Sequence, residues 1–149
     1  MDLGHWILSE GVDVTANTFG FIYEIKNTAT GRMYIGKKQC NSKVRRKPLK
    51  GKKRSRIDYK VSDWRTYTGS STDLNEDILK YGKERFVFTI IRVCDSKWAL
   101  AYYEIKEQIK RDVIMSDTYY NGILNVRIGR PPKGEFEKHK NDTTIVVNG

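Results

Sequence analysis

The sequence predicts an α+β fold: a small three-stranded antiparallel sheet flanked by helices, with a long basic loop inserted into it. Three observations carry this. Two strand-like runs, residues 19–26 and 32–36, flank the turn-forming stretch Asn27-Thr28-Ala29-Thr30-Gly31. A third run, residues 86–93, is rich in aromatic and β-branched side chains. Between and after these lie two segments with helical spacing of apolar residues.

Taken in order, residues 1–18 form an N-terminal arm in which Trp6 is the candidate packing residue. In the first hairpin, strand alternation sends Phe21, Tyr23 and Ile25 to one face and Ile22, Glu24 and Lys26 to the other. A loop of Asn27 to Thr30 pairs Lys26 with Gly31 and sets Tyr23 directly opposite Tyr34; a one-residue change of loop length would flip one strand. Residues 37–60 then hold twelve Lys/Arg against the single acid Asp58, more net charge than the +10 of the whole chain. With Pro48, Gly51 and few apolar residues, the segment reads as a mobile, self-repelling loop whose natural partner is a polyanion.

Ser62-Asp63 can cap a short helical turn carrying Trp64, Arg65 and Tyr67. Gly69-Ser70-Ser71-Thr72 leads into a helix over 73–81, with Leu74, Ile78 and Tyr81 on its apolar face and Gly82 as its stop. The run 86–93 is apolar on both faces and reads as the central strand. Asp95 or Ser96 caps the longest helix, 97–114, and Tyr119-Tyr120-Asn121-Gly122 closes the domain. This divides the chain into an arm (1–18), a domain (19–128, basic loop 37–60) and a tail (129–149).

Composition sets the outer limits. At 149 residues, 38% hydrophobic with three Trp, the chain can bury one core. Cys40 and Cys94 lack metal or redox spacing and are too few for a disulfide framework, which favours a reduced, cytoplasmic setting. No stretch reaches the roughly 18 apolar residues of a membrane span, and no signal-peptide pattern opens the chain. His5 and His139 are isolated, so no Cys/His metal cluster is expected.

Phe21-Ile22-Tyr23, followed by Tyr34-Ile35-Gly36, resembles the paired signature of the GIY-YIG nuclease superfamily. The second half matches fully; in the first, Phe21 stands where the family usually has Gly, with Gly20 just before it. The likeness extends over about 105 residues through Ser70-Ser71, Lys80-Tyr81-Gly82 and the Phe-rich strand. It implies a metal-dependent DNA endonuclease that leaves 5′-phosphate and 3′-hydroxyl ends and uses Mg²⁺ or Mn²⁺. The compact chain fits a phage or mobile-element enzyme acting in the host cytoplasm. One active site cuts one strand, so a double-strand break requires a homodimer or two successive events.

Hydrolysis of a phosphodiester needs charge neutralisation at phosphorus, a group that orients or deprotonates water, and help for the leaving oxygen. Tyr23 is the candidate base or water-orienter, with Tyr34 its neighbour. On the long helix, Glu107 has Arg111 four residues on and is explained as an ion pair, whereas Glu104 has no basic residue one turn away on its own helix. The family's essential helical Glu points to Glu104 as the metal ligand. The resemblance also implies a phosphate-binding arginine, for which Arg65 is favoured over Arg45 and Arg46. It implies a late positioning Asn as well, Asn121 with Asn125 as the second choice. Lys38, after the motif, could lower the pKa of the tyrosine base.

Lys37, Arg45, Arg46, Lys52, Lys53, Arg54 and Arg56 are the candidate DNA contacts, and Arg130 joins them because Gly129-Arg130-Pro131 resembles the core of AT-hook minor-groove binders. A linker leading to the tail is the other reading of that tripeptide. The alternative to a nuclease is a non-catalytic nucleic-acid-binding module that keeps the fold.

Overall fold

A computed structural model describes residues 1–125 and 127–140. Its centre is a mixed four-stranded sheet in the order β1-β6-β2-β3, built from β1 (Trp6–Leu8), β2 (Gly20–Asn27), β3 (Met33–Gln39) and β6 (Phe86–Cys94). The three antiparallel strands expected from sequence form β6-β2-β3; the fourth strand comes from the N-terminal arm, which pairs parallel to β6 with Trp6 beside Phe88. Three residues are too short a run to register as a strand in a pattern search. The pairing is anchored instead by a side chain, since Trp6 is buried and its indole donates to the Trp64 carbonyl oxygen.

The sheet separates two apolar layers. On one face Phe21, Tyr23, Ile25, Phe86, Phe88 and Ile90 pack with Trp6, Trp64 and Leu74 of α1 (Thr72–Tyr81). On the other, Ile22 and Ile35 pack against Ala99, Leu100 and Tyr103 of α2 (Lys97–Lys110). Both helices are capped as their sequences suggest: the Ser71 hydroxyl accepts from Leu74 N at 3.2 Å and that of Ser96 from Ala99 N at 3.1 Å. Gly82 ends α1 with φ 90°. The second helix stops four residues before the expected Ile114, because Asp112 adopts a left-handed conformation with φ 54° and 113–115 continue as a 3₁₀ turn.

The hairpin register differs from the sequence-based count by two residues. Lys26 pairs with Met33, Ile25 with Tyr34, and Tyr23 with Gly36. The turn keeps four residues but lies one position later, at 28–31, because Asn27 belongs to the strand: its N–H donates to the Arg32 carbonyl at 2.8 Å, while its buried side chain accepts from Ala29 N and donates to the Tyr120 hydroxyl. A shift of two keeps every side chain on its face, so Tyr23 and Tyr34 remain neighbours, diagonal and not opposite.

The basic segment is not a loop throughout. Its first residues complete β3, and β4 (Asn41–Arg46) and β5 (Arg56–Val61) pair as an antiparallel ribbon, leaving only 47–55 as connection. Cross-strand hydrogen bonding, helped by the ion pair of Arg46 with Asp58 at 3.0 Å, holds the like charges side by side.

Beyond the sheet, the short helix α3 (Glu135–His139) packs near α2, where the Tyr103 hydroxyl lies 2.9 Å from His139 Nδ1. The Trp98 indole donates to the Gly129 carbonyl at 3.0 Å, so the Gly-Arg-Pro tripeptide begins against α2, with Arg130 exposed. The expected tail extends into residues 141–149, outside the described residues. Among the described residues no helix is long and apolar enough to cross a membrane.

Candidate active site

The edge strand β3 carries the site. Its even positions, Tyr34, Gly36 and Lys38, face the α1 layer, and its odd positions, Ile35 and Lys37, face α2. A side chain at Gly36 would force two rings to move: an added Cβ would lie 2.6 Å from Tyr23 Cζ and 2.9 Å from Tyr34 Cε1. The missing side chain lets the Tyr23 ring pass across β3 toward its free edge, where the Tyr34 ring lies 6.1 Å away, centroid to centroid. Gly20 is equally constrained, with the Lys38 carbonyl oxygen 2.6 Å and Leu100 Cδ2 2.8 Å from a built Cβ, while Phe21 is wholly buried in the α1 layer. Close backbone approach on β2 is thus met at position 20 and not at 21.

At that edge opens a cleft of about 530 Å³ whose walls include Tyr23, Tyr34, Lys37, Tyr67, Glu104 and Asn121. Tyr23 is almost completely buried, and burial holds its phenol well above the ordinary value, reinforced by Tyr34, Tyr67 and Glu104 nearby. The Tyr34 phenol is also raised, chiefly by burial, against the opposing effect of Ser70, whose hydroxyl is 3.3 Å away. Glu104 enters from α2 with its carboxyl raised by burial and partly held down by Lys37, whose Nζ is 3.7 Å from Oε1. Its cation therefore comes from β3, a partner that spacing along the helix cannot reveal. Glu107 is paired with Arg111 at 2.8 Å, as i,i+4 spacing suggests, and Arg111 also reaches Glu24 at 3.0 Å.

Asn121 fixes β3 from its open side. Its Nδ2 donates to the Ile35 carbonyl at 2.8 Å and its Oδ1 accepts from Ile35 N at 3.0 Å, so one side chain imitates a neighbouring strand. Gln108 donates to the same carbonyl at 3.0 Å. Asn125, the second choice, lines the cleft as well.

A family model described as "Putative endonuclease segE, GIY-YIG domain" matches residues 6–124. The chain belongs to the GIY-YIG endonuclease family. Comparisons with curated proteins and with solved structures gave no match.

Within this GIY-YIG domain the candidate residues divide by place. Tyr23, Tyr34, Lys37, Glu104 and Asn121 converge on the cleft; Lys38 and Arg65 do not. Lys38 pairs with Asp63 at 2.7 Å and lies over the Tyr67 ring at 4.0 Å, which directs its charge away from Tyr23. Arg65 stacks on Trp64 at 4.3 Å and donates from Nε to the Asp2 carbonyl at 2.7 Å. Arg45, Arg46 and Arg56 stand on the ribbon, and Lys52, Lys53 and Arg54 in its connecting loop. Lys37 is the cation lining the cleft among the described residues, and Arg127 borders the adjoining groove with Lys37 and Asn125. Sequence reasoning missed Tyr67, Ser70 and Asp73, which also line the cleft. Ser70 was signalled by the Ser70-Ser71 likeness to the family, and Tyr67 and Asp73 only by position in the segment leading into and opening α1.

Proposed function

We propose that the chain is a metal-dependent DNA endonuclease whose centre is the cleft at the edge of β3. The observation that carries this reading is the convergence of two phenols, an ammonium and a half-buried carboxylate on one opening large enough for a phosphodiester. Tyr23, kept protonated by burial, holds the attacking water through its hydroxyl and so acts as water-orienter in place of base. Lys37 faces the phosphate and offsets the charge that grows on its oxygens. Tyr34, Tyr67 and Ser70 offer hydroxyls to the phosphate or its sugar neighbours. Water attacks phosphorus in line and passes a proton to solvent, the P–O3′ bond breaks with O3′ taking a proton from solvent, and the products are a 5′-phosphate and a 3′-hydroxyl.

The donor set suits a hard divalent cation. Glu104 and Asp73 bring carboxylate oxygens to the same cleft, and Mg²⁺ or Mn²⁺ needs few protein ligands because it keeps much of its water shell. Glu104 would hold the ion, which when bound would supply stabilisation of the departing O3′. Recognition of DNA falls to the basic segment, and Arg130 is a further contact in this reading. One such site cuts one strand, and cutting both requires a homodimer or two events.

Supercoiled plasmid incubated with the protein in Mg²⁺ should be nicked, and EDTA should prevent it. Glu104→Gln should slow nicking by about 100-fold or more while binding DNA as the wild type does. Cutting by Glu104→Gln at the wild-type rate would overturn the assignment, and DNA binding without any cutting would favour the non-catalytic module.

A further inference from the structure

The ribbon of β4 and β5 is a surface that the core does not use. Every residue of β5 is exposed, and the ribbon is tied to the sheet at its base, where Ser62 bonds the Cys40 and Gln39 carbonyls at 2.9 and 2.6 Å. Its register gives it two unlike faces. One presents Ser42 with Lys60, Val44 with Asp58 and Arg46 with Arg56, and on it Arg46 is tied to Asp58. The other presents Lys43 beside Tyr59 and Arg45 beside Ile57, with Val61 at the base. Ile57, Tyr59 and Val61 are 56%, 60% and 60% exposed, a row of apolar side chains next to a row of cations. A run of strand-forming apolar residues held in water marks a contact surface, and an isolated two-stranded hairpin gains stability from whatever it docks against.

We propose that this ribbon enters the major groove of duplex DNA with the face of Lys43, Arg45, Ile57 and Tyr59 turned to the base edges. Charge decides the occupant: the segment from Lys37 to Lys60 carries twelve cations to one acid, so a second copy of the same ribbon is repelled and a polyanion is attracted. Shape decides the groove, because a two-stranded ribbon fits the major groove of B-form DNA, where Arg and Lys bond guanine O6 and N7 and apolar side chains meet the thymine methyl. The cations of the opposite face and of 47–55 reach the phosphates on either side and hold the register.

The placement deepens the nuclease reading, on which its last consequence rests. The ribbon continues the strand that carries the cleft, and Arg46 lies ten residues beyond Gly36. At about 3.3 Å per residue that is an upper limit of about 33 Å, close to one helical turn of DNA, about 34 Å. Bases read by the ribbon therefore lie within about one turn of the phosphate in the cleft.

The test is made in EDTA with the full chain, so that it does not depend on cutting. A pool of randomised DNA duplexes is bound, the captured fraction is sequenced, and the bound duplex is probed with dimethyl sulfate, which reports guanine N7 in the major groove. The wild type should enrich a short motif and protect guanines within it. Arg45→Ala and the pair Ile57→Thr with Tyr59→Thr should each weaken preference by roughly 5- to 150-fold per base pair lost, with far-UV circular dichroism and melting temperature unchanged because the altered positions are exposed. Unaltered preference in these variants, no protection of N7, or equal binding to RNA duplex, whose major groove is too narrow to enter, would each overturn the proposal. So would self-association without DNA that these substitutions abolish, since the occupant would then be a second copy. If the ribbon footprint is found but plasmid is never cut, the nuclease reading fails alone; if plasmid is cut with no footprint, the ribbon proposal fails alone.

Discussion

Replacing Gly36 with alanine separates the geometry of the site from the stability of the fold. The added methyl would stand 2.6 Å from Tyr23 Cζ and 2.9 Å from Tyr34 Cε1, against the roughly 3.5–4.0 Å of a relaxed carbon contact. Both rings must withdraw by about 1 Å, and Tyr23 can move only into packed core. Overpacking of this kind costs about 1–3 kcal/mol, out of the roughly 5–15 kcal/mol that keeps a domain folded. For a chain of this length that lowers the melting temperature by about 2–12 °C. A displacement of about 1 Å in a group that orients the nucleophile costs on the order of 10²-fold in rate. The expected signature is a folded protein that nicks supercoiled plasmid about a hundred times more slowly, measured beside its thermal melt. Gly129→Ala is the control, because its Cβ would meet nothing within 4 Å. A Gly36→Ala protein that cuts at the wild-type rate would refute the crossing of the Tyr23 ring under β3 as the feature that builds the site.

Two further outcomes follow from buried polar groups. His5, stacked on Phe88 at 3.8 Å, has its imidazole lowered from 6.5 to about 4, first by burial and then by Lys83. Because the folded value lies below the unfolded one, its contribution to stability is complete above pH 6.5 and is lost as pH falls toward 4. Both ring nitrogens are shut off from water; urea unfolding at pH 7 and 4.5 should show a loss of roughly 1–3 kcal/mol in the wild type and not in His5→Leu. Asn121→Ala should cost about 1–3 kcal/mol, because Ile35 N is left buried without an acceptor, while the Ile35 carbonyl keeps Gln108. Urea unfolding gives the magnitude, and faster amide exchange at Ile35 identifies the bond.

The elements legible in the sequence are those with local causes. Ser71, Gly82 and Ser96 set helix ends through hydrogen bonds and backbone angles within a few residues. The run 86–93 declares itself a strand by composition, and the Tyr34-Ile35-Gly36 segment its family by its match to the paired signature. What escaped was decided by partners distant in sequence. The hairpin register turned on Asn27, whose side chain meets Tyr120, 93 residues away. The cation of Glu104 came from another strand, and the arm became a strand because Trp6 had Trp64 to bond. The charge of the basic segment predicts repulsion and motion, whereas the alignment of Lys43 and Arg45 with Tyr59 and Ile57 depends on a strand pairing that charge does not encode.

The manner in which Asn121 closes the sheet bears on how such a site coexists with an exposed strand. An edge such as β3 invites a further strand, from the same chain or from a neighbour, and with it aggregation. Here one amide side chain, together with the short bridge of Met33 to Tyr119, satisfies the backbone that a whole strand would otherwise claim. A true fifth strand would run through the space bounded by Tyr34, Lys37 and Asn121. A side chain in its place guards the edge against unwanted partners while leaving the vacancy that a substrate must enter.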